Sequence, residues 1–438
     1  MGGGPVRRST KTKVMSIRRR SVISGIGVLS PLGTRRAPVW EAILAGTPGV
    51  KAITAFDASS LPVRVAGTIA DFDAKAYLEK KDRKQLRMMA RPIQLAVAGA
   101  WLALEDCKVD KTTLDKTRFG VLYGSCMIPS ELPELAEPGK LCVIPGERVV
   151  NTKKWGIEGI PAIQPLWMLK YLPNMLACQV SILHDAQGPN NTITENDVAG
   201  IMAFGESLRI LERDRADFFL VGGAESKINP LSLSRQCLFE TLSKRNDDPE
   251  GAHRPFDRDR EGTVLSEGSA VVVLEEYEHA KRRGAEILAE VGGFSAGFDR
   301  ARDGKGLARV IRQAMAAAGV GPGEIDHISS HAQGAPITDA WEAAAYREVF
   351  GGHNVPVHAL KGQTGNMGCA SGILELATAA LALSTGIRPA TINCPNPDPD
   401  CGLVVTTGHG TKMEKPCVVK VSLSQLGQVC VVVLKAIQ

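Results

Sequence analysis

Segments with the pattern of β-strands alternate with segments with the pattern of α-helices along the 438-residue chain. Short apolar runs rich in valine, isoleucine and phenylalanine predict buried strands, and longer alanine-rich stretches between them predict helices. The predicted strands are 21–27, 119–123, 218–221, 271–274, 326–330 and 355–360, and the predicted helices are a segment ending at 45 and residues 94–104, 199–212, 307–318, 340–349 and 372–384. This alternation predicts an α/β fold with layered sheets and helices.

The length of the chain fits two fused α/β halves of ordinary domain size, and the order of predicted elements suggests that the halves are similar. We expect a disordered basic tail over residues 1–17, an N-terminal half over 18–265 and a C-terminal half over 266–438. Residues 125–180 are less regular and rich in proline and glycine, so we expect an excursion there that caps a pocket or forms an interface.

The net charge is +5, and seven of the basic residues lie among the first twenty. The rest of the chain is close to neutral, which gives little support to nucleic-acid binding. The sequence has no run of eighteen uninterrupted apolar residues, so it predicts no membrane span. Ten cysteines without CxxC or Cys/His spacing indicate a reducing cytoplasm, and we expect no metal site and no cofactor.

The stretch GPNNTITENDVAG (188–200) combines a short predicted strand, a turn and the start of a helix. Asp197 heads that helix, where backbone N–H groups and the helix dipole favour an anion. Many enzymes place a nucleophile on such a strand-to-helix turn. A carboxylate at this position is either a helix cap or part of a site.

Several further segments resemble the β-ketoacyl-acyl carrier protein synthases, the condensing enzymes of fatty-acid and polyketide synthesis. They are SVISGIGVLSPLG (21–33), RADFFLVGGAES (215–226), LSKRNDDP (242–249) and RPFDRDREGTVLSEGSAVVVLEEYEHAKRRGA (254–285). The resemblance runs from about Arg18 to Leu434. It implies the thiolase fold, with two pseudo-duplicated α-β-α-β-α halves around one pocket, a dimer, and an acyl carrier protein as partner.

In that family a cysteine on the strand-to-helix turn takes the acyl chain as a thioester, because a helix N-terminus lowers the pKa of a thiol. Two histidines then assist decarboxylation of the malonyl carrier and stabilise the enolate and the oxyanion. The family cysteine lies nine residues beyond the glycine of a GP pair. Counting nine from Gly188 reaches Asp197, so the resemblance implies that the nucleophile is replaced.

The two histidine motifs of the family differ in how much of them remains. SSHAQGAPITDAWE (329–342) matches the first motif and keeps His331, although the polar residues that normally follow it have changed. LKGQTGNMGCASGILE (360–375) matches the second and keeps Lys361 and Glu375, which resemble the buried structural ion pair of the family. Asn366 stands at the second histidine and retains an amide donor. QLGQVC (425–430) corresponds to the C-terminal glycine-rich loop, of which only Gly427 remains.

Two hypotheses of different classes follow. In the first, the chain is a non-catalytic subunit, similar to chain-length factors, that pairs with an active ketosynthase as a heterodimer, or forms a homodimer. In the second, it is an acyltransferase or thioesterase-type enzyme acting on acyl-carrier thioesters, with Asp197 and His331 as general base and Asn366 in the pocket. Cys369 and Cys430 lie in site motifs and are alternative nucleophiles, but neither lies on the turn. His331 also has an interpretation as a core histidine.

Overall fold

The computed structural model describes residues 19–437, so the expected basic tail over 1–17 lies outside the described residues. The elements as far as residue 282 are β1 (Ser21–Ser30), β2 (Gly33–Thr34), α1 (Arg36–Leu44), β3 (Val50–Ala52), β4 (Val65–Gly67), α2 (Arg91–Asp106), β5 (Phe119–Gly124), α3 (Leu132–Cys142), α4 (Thr152–Lys154), α5 (Ile160–Ala162), α6 (Met175–His184), β6 (Asn190–Ile193), α7 (Ala199–Glu212), β7 (Phe218–Glu225), α8 (Pro230–Phe239), β8 (Gly268–Glu276) and α9 (Tyr277–Arg282).

The elements after residue 282 are β9 (Ala289–Phe298), α10 (Lys305–Ala318), β10 (Ile325–Ser329), α11 (Pro336–Phe350), β11 (Val357–His358), α12 (Lys361–Thr364), α13 (Ser371–Thr385), β12 (Ile387–Arg388), β13 (Thr411–Lys412), β14 (Cys417–Leu423) and β15 (Gln428–Lys435). Most predicted elements lie within one of these. The strand predicted over 355–360 is shorter, and β9, β14 and β15 were not predicted. Three glycines interrupt the apolar pattern of β9.

Ten of the eleven strands of the main sheet form two five-stranded units with the same internal order, and the short strand β2 pairs with β1 outside this order. In the first unit the strands follow one another as β6-β5-β7-β8-β1, and in the second as β11-β10-β14-β15-β9. When the strands are numbered along the chain within each unit, both units have the order 3-2-4-5-1. In both units the fifth strand is antiparallel to its two neighbours, and the second strand is parallel to its two neighbours. The repeat of order and direction shows the predicted pseudo-duplication.

The two units meet where β1 pairs antiparallel with β9 over two residues, Val22 with Glu290 and Ile23 with Ala289. β8 belongs to the first unit, because it pairs with β1 and β7. By sheet membership the division between the halves therefore falls between β8 and β9, later in the chain than the expected boundary at 265/266.

The helices form three layers around the two units. α2 and α6 pack on the outer face of the first unit, and α10 packs on the outer face of the second with α11 beside it. α7 and α13 lie in the middle layer, since both contact strands of both units. The arrangement is the five-layer α-β-α-β-α thiolase fold that the sequence predicts.

The central strands are buried on both faces, as in other sheets covered by helices. Phe218 and Leu220 of β7 face the outer core with α2, whereas Phe219 and Val221 face the middle core with α7 and α13. Alternate side chains of a strand point to opposite faces, so one apolar run supplies two cores.

One helical stretch of the described chain, Gly368–Thr385, is long and apolar enough by composition to cross a membrane, and 83% of it is buried inside the protein. This stretch contains α13, whose apolar surface packs against strands of both sheet units. The excursion over 125–180 is largely helical and includes α3, α4, α5 and the start of α6.

Candidate functional site

The turn between β6 and α7 carries Asp197. A 3-10 turn over Asn196–Val198 precedes α7, and Asn196 has a φ of 48°, in the left-handed region that only a few residue types adopt readily. No side chain caps the 3-10 turn or α7. Asp197 is an acidic residue of the first turn and not the N-cap residue, and its carboxylate accepts a hydrogen bond from the side chain of Asn366.

Asp197, Asn366 and His331 come together at one carboxylate oxygen. Asn366 Nδ2 donates a hydrogen bond of 3.0 Å to Asp197 Oδ2. The Nε2 atom of His331 lies 3.7 Å from the same oxygen. The Asp197 side chain is 13% exposed and that of His331 only 1%. The three residues singled out from separate motifs therefore face one small, nearly buried space.

The amide of Asn366 has a fixed orientation. Its Oδ1 atom accepts hydrogen bonds from the backbone N–H of Gly368 at 3.1 Å and from Ser371 Oγ at 3.0 Å. Because both donors hold the oxygen, the NH₂ group must point toward Asp197. Asn366 thus presents a donor to the site, as its interpretation from sequence requires.

His331 is neutral and of defined tautomer. Lys361 Nζ lies 3.2 Å from His331 Nδ1 and donates to the His331 carbonyl oxygen at 2.6 Å. An ammonium has only donors, so Nδ1 is an acceptor and the proton is on Nε2, facing Asp197. Burial and the nearby charge of Lys361 hold the pKa of His331 well below its usual value. Nε2 has no hydrogen-bond partner among the described residues.

Lys361 and Glu375 form a buried pair, with Nζ and Oε1 2.6 Å apart. A third residue, Lys420, joins them, and its Nζ lies 2.8 Å from Glu375 Oε2. Glu375 therefore bridges two ammonium groups that have almost no contact with solvent. Lys420 was not singled out from the sequence, although a lysine in the apolar strand CVVKVSL is an unusual feature.

The loop after His331 is held by two buried acids of the same motif. Glu342 accepts hydrogen bonds from the backbone N–H of His331 at 2.7 Å and of Ala332 at 2.8 Å. Asp339 accepts one from Gly334 N at 3.0 Å. Ala332 has a φ of 45°, so these bonds stabilise a backbone conformation that alanine disfavours. The acids position the loop and do not face Asp197.

Burial raises the pKa of the Asp197 carboxyl, and the ammonium group of Lys227 acts in the opposite direction. Lys227 is 15% exposed and pairs with Glu225, whose Oε1 lies 2.5 Å from Nζ. Neither residue of this pair was singled out from the sequence. The signal available was a Glu-x-Lys pair directly at the end of the buried strand β7.

The alternative nucleophiles Cys369 and Cys430 are fully buried. Cys369 Sγ lies 3.4 Å from the carbonyl oxygen of Ala224, and burial raises the pKa of its thiol well above the usual value. Burial raises the pKa of Cys430 to about 12. Both thiols are protonated near neutral pH, and buried protonated thiols are inert.

Two glutamines of the C-terminal loop form hydrogen bonds with glutamates from other parts of the chain. Gln425 Nε2 donates to Glu240 Oε2 at 2.5 Å, and Gln428 Nε2 donates to Glu195 Oε2 at 2.9 Å. Glu240 lines a cavity of about 530 Å³ that reaches Asn196, and Gln425 lines a second cavity of about 300 Å³. The Gln425–Glu240 hydrogen bond therefore lies between the two cavities.

Among residues 19–437, no group of three or more histidine, cysteine, aspartate or glutamate side chains is placed to hold a metal ion. Two side-chain donors lie near Asp197, the amide of Asn366 and the imidazole of His331, together with the charged groups of Lys227 and Lys361. Such a set can bind or repel charge at the turn.

Comparisons with known proteins cover almost the whole described chain. The family model for the Beta-ketoacyl synthase N-terminal domain matches residues 18–280, and that for the Beta-ketoacyl synthase C-terminal domain matches 288–395. The chain is 35% identical over 405 residues to the 3-oxoacyl-[acyl-carrier-protein] synthase 2 of Coxiella burnetii, covering 91% of this chain and 94% of that protein.

Two solved structures are similar over 96% of this chain and 100% of theirs. One is the ishigamide ketosynthase/chain length factor, with a TM-score of 0.85 and 28% identity. The other is a type II polyketide synthase acyl-carrier protein in complex with its ketosynthase bound to the hexaketide, with a TM-score of 0.81 and 26% identity.

Proposed function

The chain belongs to the β-ketoacyl synthase family of fatty-acid and polyketide biosynthesis, and from that premise we propose that it is a non-catalytic subunit that pairs with an active ketosynthase, as a chain-length factor does. One observation carries the proposal. The carboxylate of Asp197 accepts a hydrogen bond from the Asn366 amide and faces the His331 Nε2–H, two side-chain donors that a negative charge developing at the turn would otherwise meet.

The charge of Asp197 opposes condensation and decarboxylation. Both steps develop negative charge near the turn, and they are fast when free donors point at that charge. Two like charges 4 Å apart repel by about 4 kcal/mol at an effective dielectric constant near 20. A barrier higher by that amount slows a reaction by roughly a thousandfold. A site whose Asn366 donor already binds a carboxylate, with His331 facing the same charge, is poorly suited to either step.

A carboxylate is also a weak nucleophile toward thioesters, and acyl transfer to it would give a mixed anhydride that is easily hydrolysed. No thiol takes over the role, because Cys369 and Cys430 are buried and protonated. These facts support a subunit that keeps the fold without the acyl-enzyme chemistry.

The surface of the excursion supports a protein partner. Eleven of the twenty exposed large apolar side chains among the described residues fall within the excursion; they are Met127, Leu132, Leu141, Val143, Val149, Val150, Ile157, Ile160, Leu166, Met168 and Leu169. β6 pairs only with β5 among the described strands, so its other edge is open. Concentrated exposed apolar surface beside an open strand edge is typical of an interface.

We propose an active ketosynthase as the occupant of this surface, in line with the ketosynthase/chain length factor named in the similar structure. A homodimer is the other outcome that the same surface permits. We propose that an acyl carrier protein binds to the complex of the chain with the ketosynthase, in line with the complex named in the second similar structure. The ten cysteines are all free thiols, which agrees with the proposed reducing cytoplasm.

An enzyme acting on acyl-carrier thioesters is the second candidate, and the raised pKa of Asp197 is the observation in its favour. His331 does not fit the role of general base in that reaction. Its Nδ1 faces the Lys361 ammonium and its Nε2 carries the proton, so Asp197 would act as the base alone.

A turnover assay together with an association assay tests the proposal. The purified chain is incubated with malonyl- and octanoyl-acyl carrier protein, and free acid, acetyl carrier and β-ketoacyl carrier are quantified by liquid chromatography and mass spectrometry. We expect none of the three products from the chain alone, and a 1:1 complex when it is co-expressed with a ketosynthase that keeps the cysteine and both histidines. Hydrolysis that is lost in Asp197→Asn would instead establish the second candidate.

A further inference from the structure

Ser371 is the first residue of α13, and the direction of its hydroxyl proton is defined by its two partners. The hydroxyl oxygen accepts a hydrogen bond of 2.8 Å from the backbone N–H of Met367, and the hydroxyl donates one of 3.0 Å to Asn366 Oδ1. A serine hydroxyl has a single proton. Because the Met367 N–H is itself a donor, that proton has the Asn366 oxygen as its acceptor. Ser371 is therefore a buried donor aimed at the side chain of Asn366.

The amide of Asn366 has two orientations that differ by a half turn about its last side-chain bond. In the observed orientation Oδ1 accepts from Ser371 Oγ and from Gly368 N, and Nδ2 donates to Asp197 Oδ2. The reverse orientation would place the NH₂ group against the Gly368 N–H and the amide oxygen against the Asp197 carboxylate. Both contacts would pair like with like, donor with donor and acceptor with acceptor. Ser371 supplies the side-chain donor that favours the observed orientation.

The backbone that presents Asn366 is held by bonds that do not involve Ser371. The N–H of Asn366 donates to the carbonyl oxygen of Val264 at 2.8 Å, and its carbonyl oxygen accepts from the N–H of Ser266 at 2.8 Å. These two bonds belong to a parallel bridge between Leu265 and Asn366. Removal of the Ser371 hydroxyl therefore acts on the direction of the amide, while the backbone bonds of Asn366 stay in place.

The titratable groups around Asp197 are Cys126, Glu225, Lys227, Glu240, His331 and Lys361. The two ammonium groups favour the ionised carboxylate of Asp197, and the two glutamates oppose it. The thiol and the imidazole are neutral near pH 7. Among residues 19–437, the hydrogen bonds of the Ser371 hydroxyl are those with Met367 and Asn366. A change at Ser371 therefore reaches Asp197 through the Asn366 amide.

We propose that Ser371 is a positioning residue for Asp197, whose hydroxyl holds the Asn366 amide with its donor toward the carboxylate. The inference rests on the proposed function, in which the charge of Asp197 opposes acyl chemistry, and it adds the residue that keeps this charge hydrogen-bonded. A hydrogen bond to the ionised form of an acid favours that form, so loss of the bond raises the pKa. Ser371 thus favours ionised Asp197 without a hydrogen bond to it.

A pH titration of the Asp197 carboxyl by infrared difference spectroscopy tests the proposal on the full chain. The stretching band of the protonated carboxyl is followed with pH, and each spectrum is compared with that of the same protein carrying Asp197→Asn. In Ser371→Ala we expect the pKa of Asp197 to rise by about one, which is roughly a tenfold stronger affinity for the proton. Ser384→Ala is the matched control, because the Ser384 hydroxyl lies in the same helix and donates to the carbonyl oxygen of Leu381. The control should leave the pKa unchanged.

The Asn366→Ala background separates positioning from a general structural effect. Asn366→Ala alone should raise the pKa of Asp197, because it removes the hydrogen bond to the carboxylate. Addition of Ser371→Ala to this background should change the pKa no further, since the amide is gone. Ser371→Ala also leaves the Met367 N–H without its acceptor, so Ser371→Cys is made in parallel. A thiol is a weak donor, and the pKa of Asp197 should lie between those of wild type and Ser371→Ala.

An unchanged pKa of Asp197 in Ser371→Ala and Ser371→Cys overturns the proposal. An equal rise with and without Asn366 overturns it as well, and so does a rise of the same size in Ser384→Ala. None of these results bears on the subunit role, because the titration contains no carrier thioester and no partner. Conversely, turnover of a carrier thioester by the wild type would reject the subunit role and leave the titration result unaffected.

Discussion

The carboxylate of Asp197 and the side-chain amide of Asn366 are joined by a hydrogen bond of 3.0 Å across the middle of the fold. The first lies on the turn before α7 and the second follows α12, so the bond connects the two halves of the chain. His331 Nε2 lies 3.7 Å from the same oxygen. The Asn366 donor is therefore already engaged by a group of the protein itself, and the His331 Nε2–H faces the same carboxylate without a hydrogen bond to it.

The buried carboxyl of Asp197 gives a prediction for the pH dependence of stability. Its pKa is raised by burial, and an acid with a higher pKa in the folded than in the unfolded state destabilises the fold once it ionises. Wild type should therefore lose stability relative to Asp197→Asn as the pH rises from the unfolded value of about 3.9 through the raised folded value.

Urea unfolding of wild type and Asp197→Asn at intervals from below the unfolded pKa, at about pH 3.5, up to about pH 8 measures this difference. We expect the advantage of the asparagine variant to grow with pH and then level off. A wild type that gains on the variant as the pH rises would show that the site stabilises the ionised carboxylate.

The buried charges around Glu375 predict an order of stabilities. Glu375→Gln removes the acid shared by Lys361 and Lys420 and leaves two buried ammonium groups without their carboxylate. Breaking a buried pair in this way costs about 3–5 kcal/mol. Lys420→Met leaves the Lys361–Glu375 pair in place and should cost clearly less. Urea unfolding at pH 7.5 compares the two, and a larger loss for Lys420→Met would contradict this assignment.

The Gln425–Glu240 hydrogen bond predicts controlled access to the cavity beside the turn. Gln425→Ala removes the group between the two cavities and should speed alkylation of Cys126, which lines the cavity of about 530 Å³, several-fold. Labelling with iodoacetamide followed by peptide mass spectrometry measures the rate at each cysteine. Gln313→Ala on the surface of α10 is the control. Equal rates at Cys126 in wild type and Gln425→Ala would mean that the loop does not limit access.

The apolar surface of the excursion predicts a partner interface that single charges disrupt. Ile157 is 65% exposed, so Ile157→Asp should leave the fold intact while abolishing association with the ketosynthase or with a second copy. Val404→Asp, at a site 51% exposed outside the excursion, is the matched control and should associate normally. Analytical ultracentrifugation measures both. Undiminished association of Ile157→Asp would place the interface elsewhere.

The sequence predicted the fold well, because strands buried on both faces and alanine-rich helices give strong local patterns. It also predicted that Asp197, His331 and Asn366 share a site, through the motifs that each belongs to. It did not predict the direction of the Asp197 side chain, since a cap and a turned-in carboxylate have the same local sequence. That choice depends on Asn366, which lies 169 positions away.

The residues missed from the sequence are those whose role depends on long-range packing. Lys420 reaches Glu375 from β14, and Lys227 modifies Asp197 from the end of β7. Gln425 and Gln428 belong to a loop that keeps only one glycine of the family motif, so the sequence assigned them no role. The fold brings Glu240 and Glu195 within hydrogen-bond distance of them. The place of β8 in the first unit likewise follows from pairing with β1.

We propose that the strand-to-helix turn keeps the geometry of the family and that Asp197 is what prevents acylation there. Intact-protein mass spectrometry of wild type and Asp197→Cys after incubation with acyl-acyl carrier protein tests this claim most directly, since a thiol at a helix N-terminus is a nucleophile. We predict that the variant gains one acyl group at residue 197 and that the wild type stays unmodified. A wild type that becomes acylated, at Cys369 or Cys430 or elsewhere, would contradict the account.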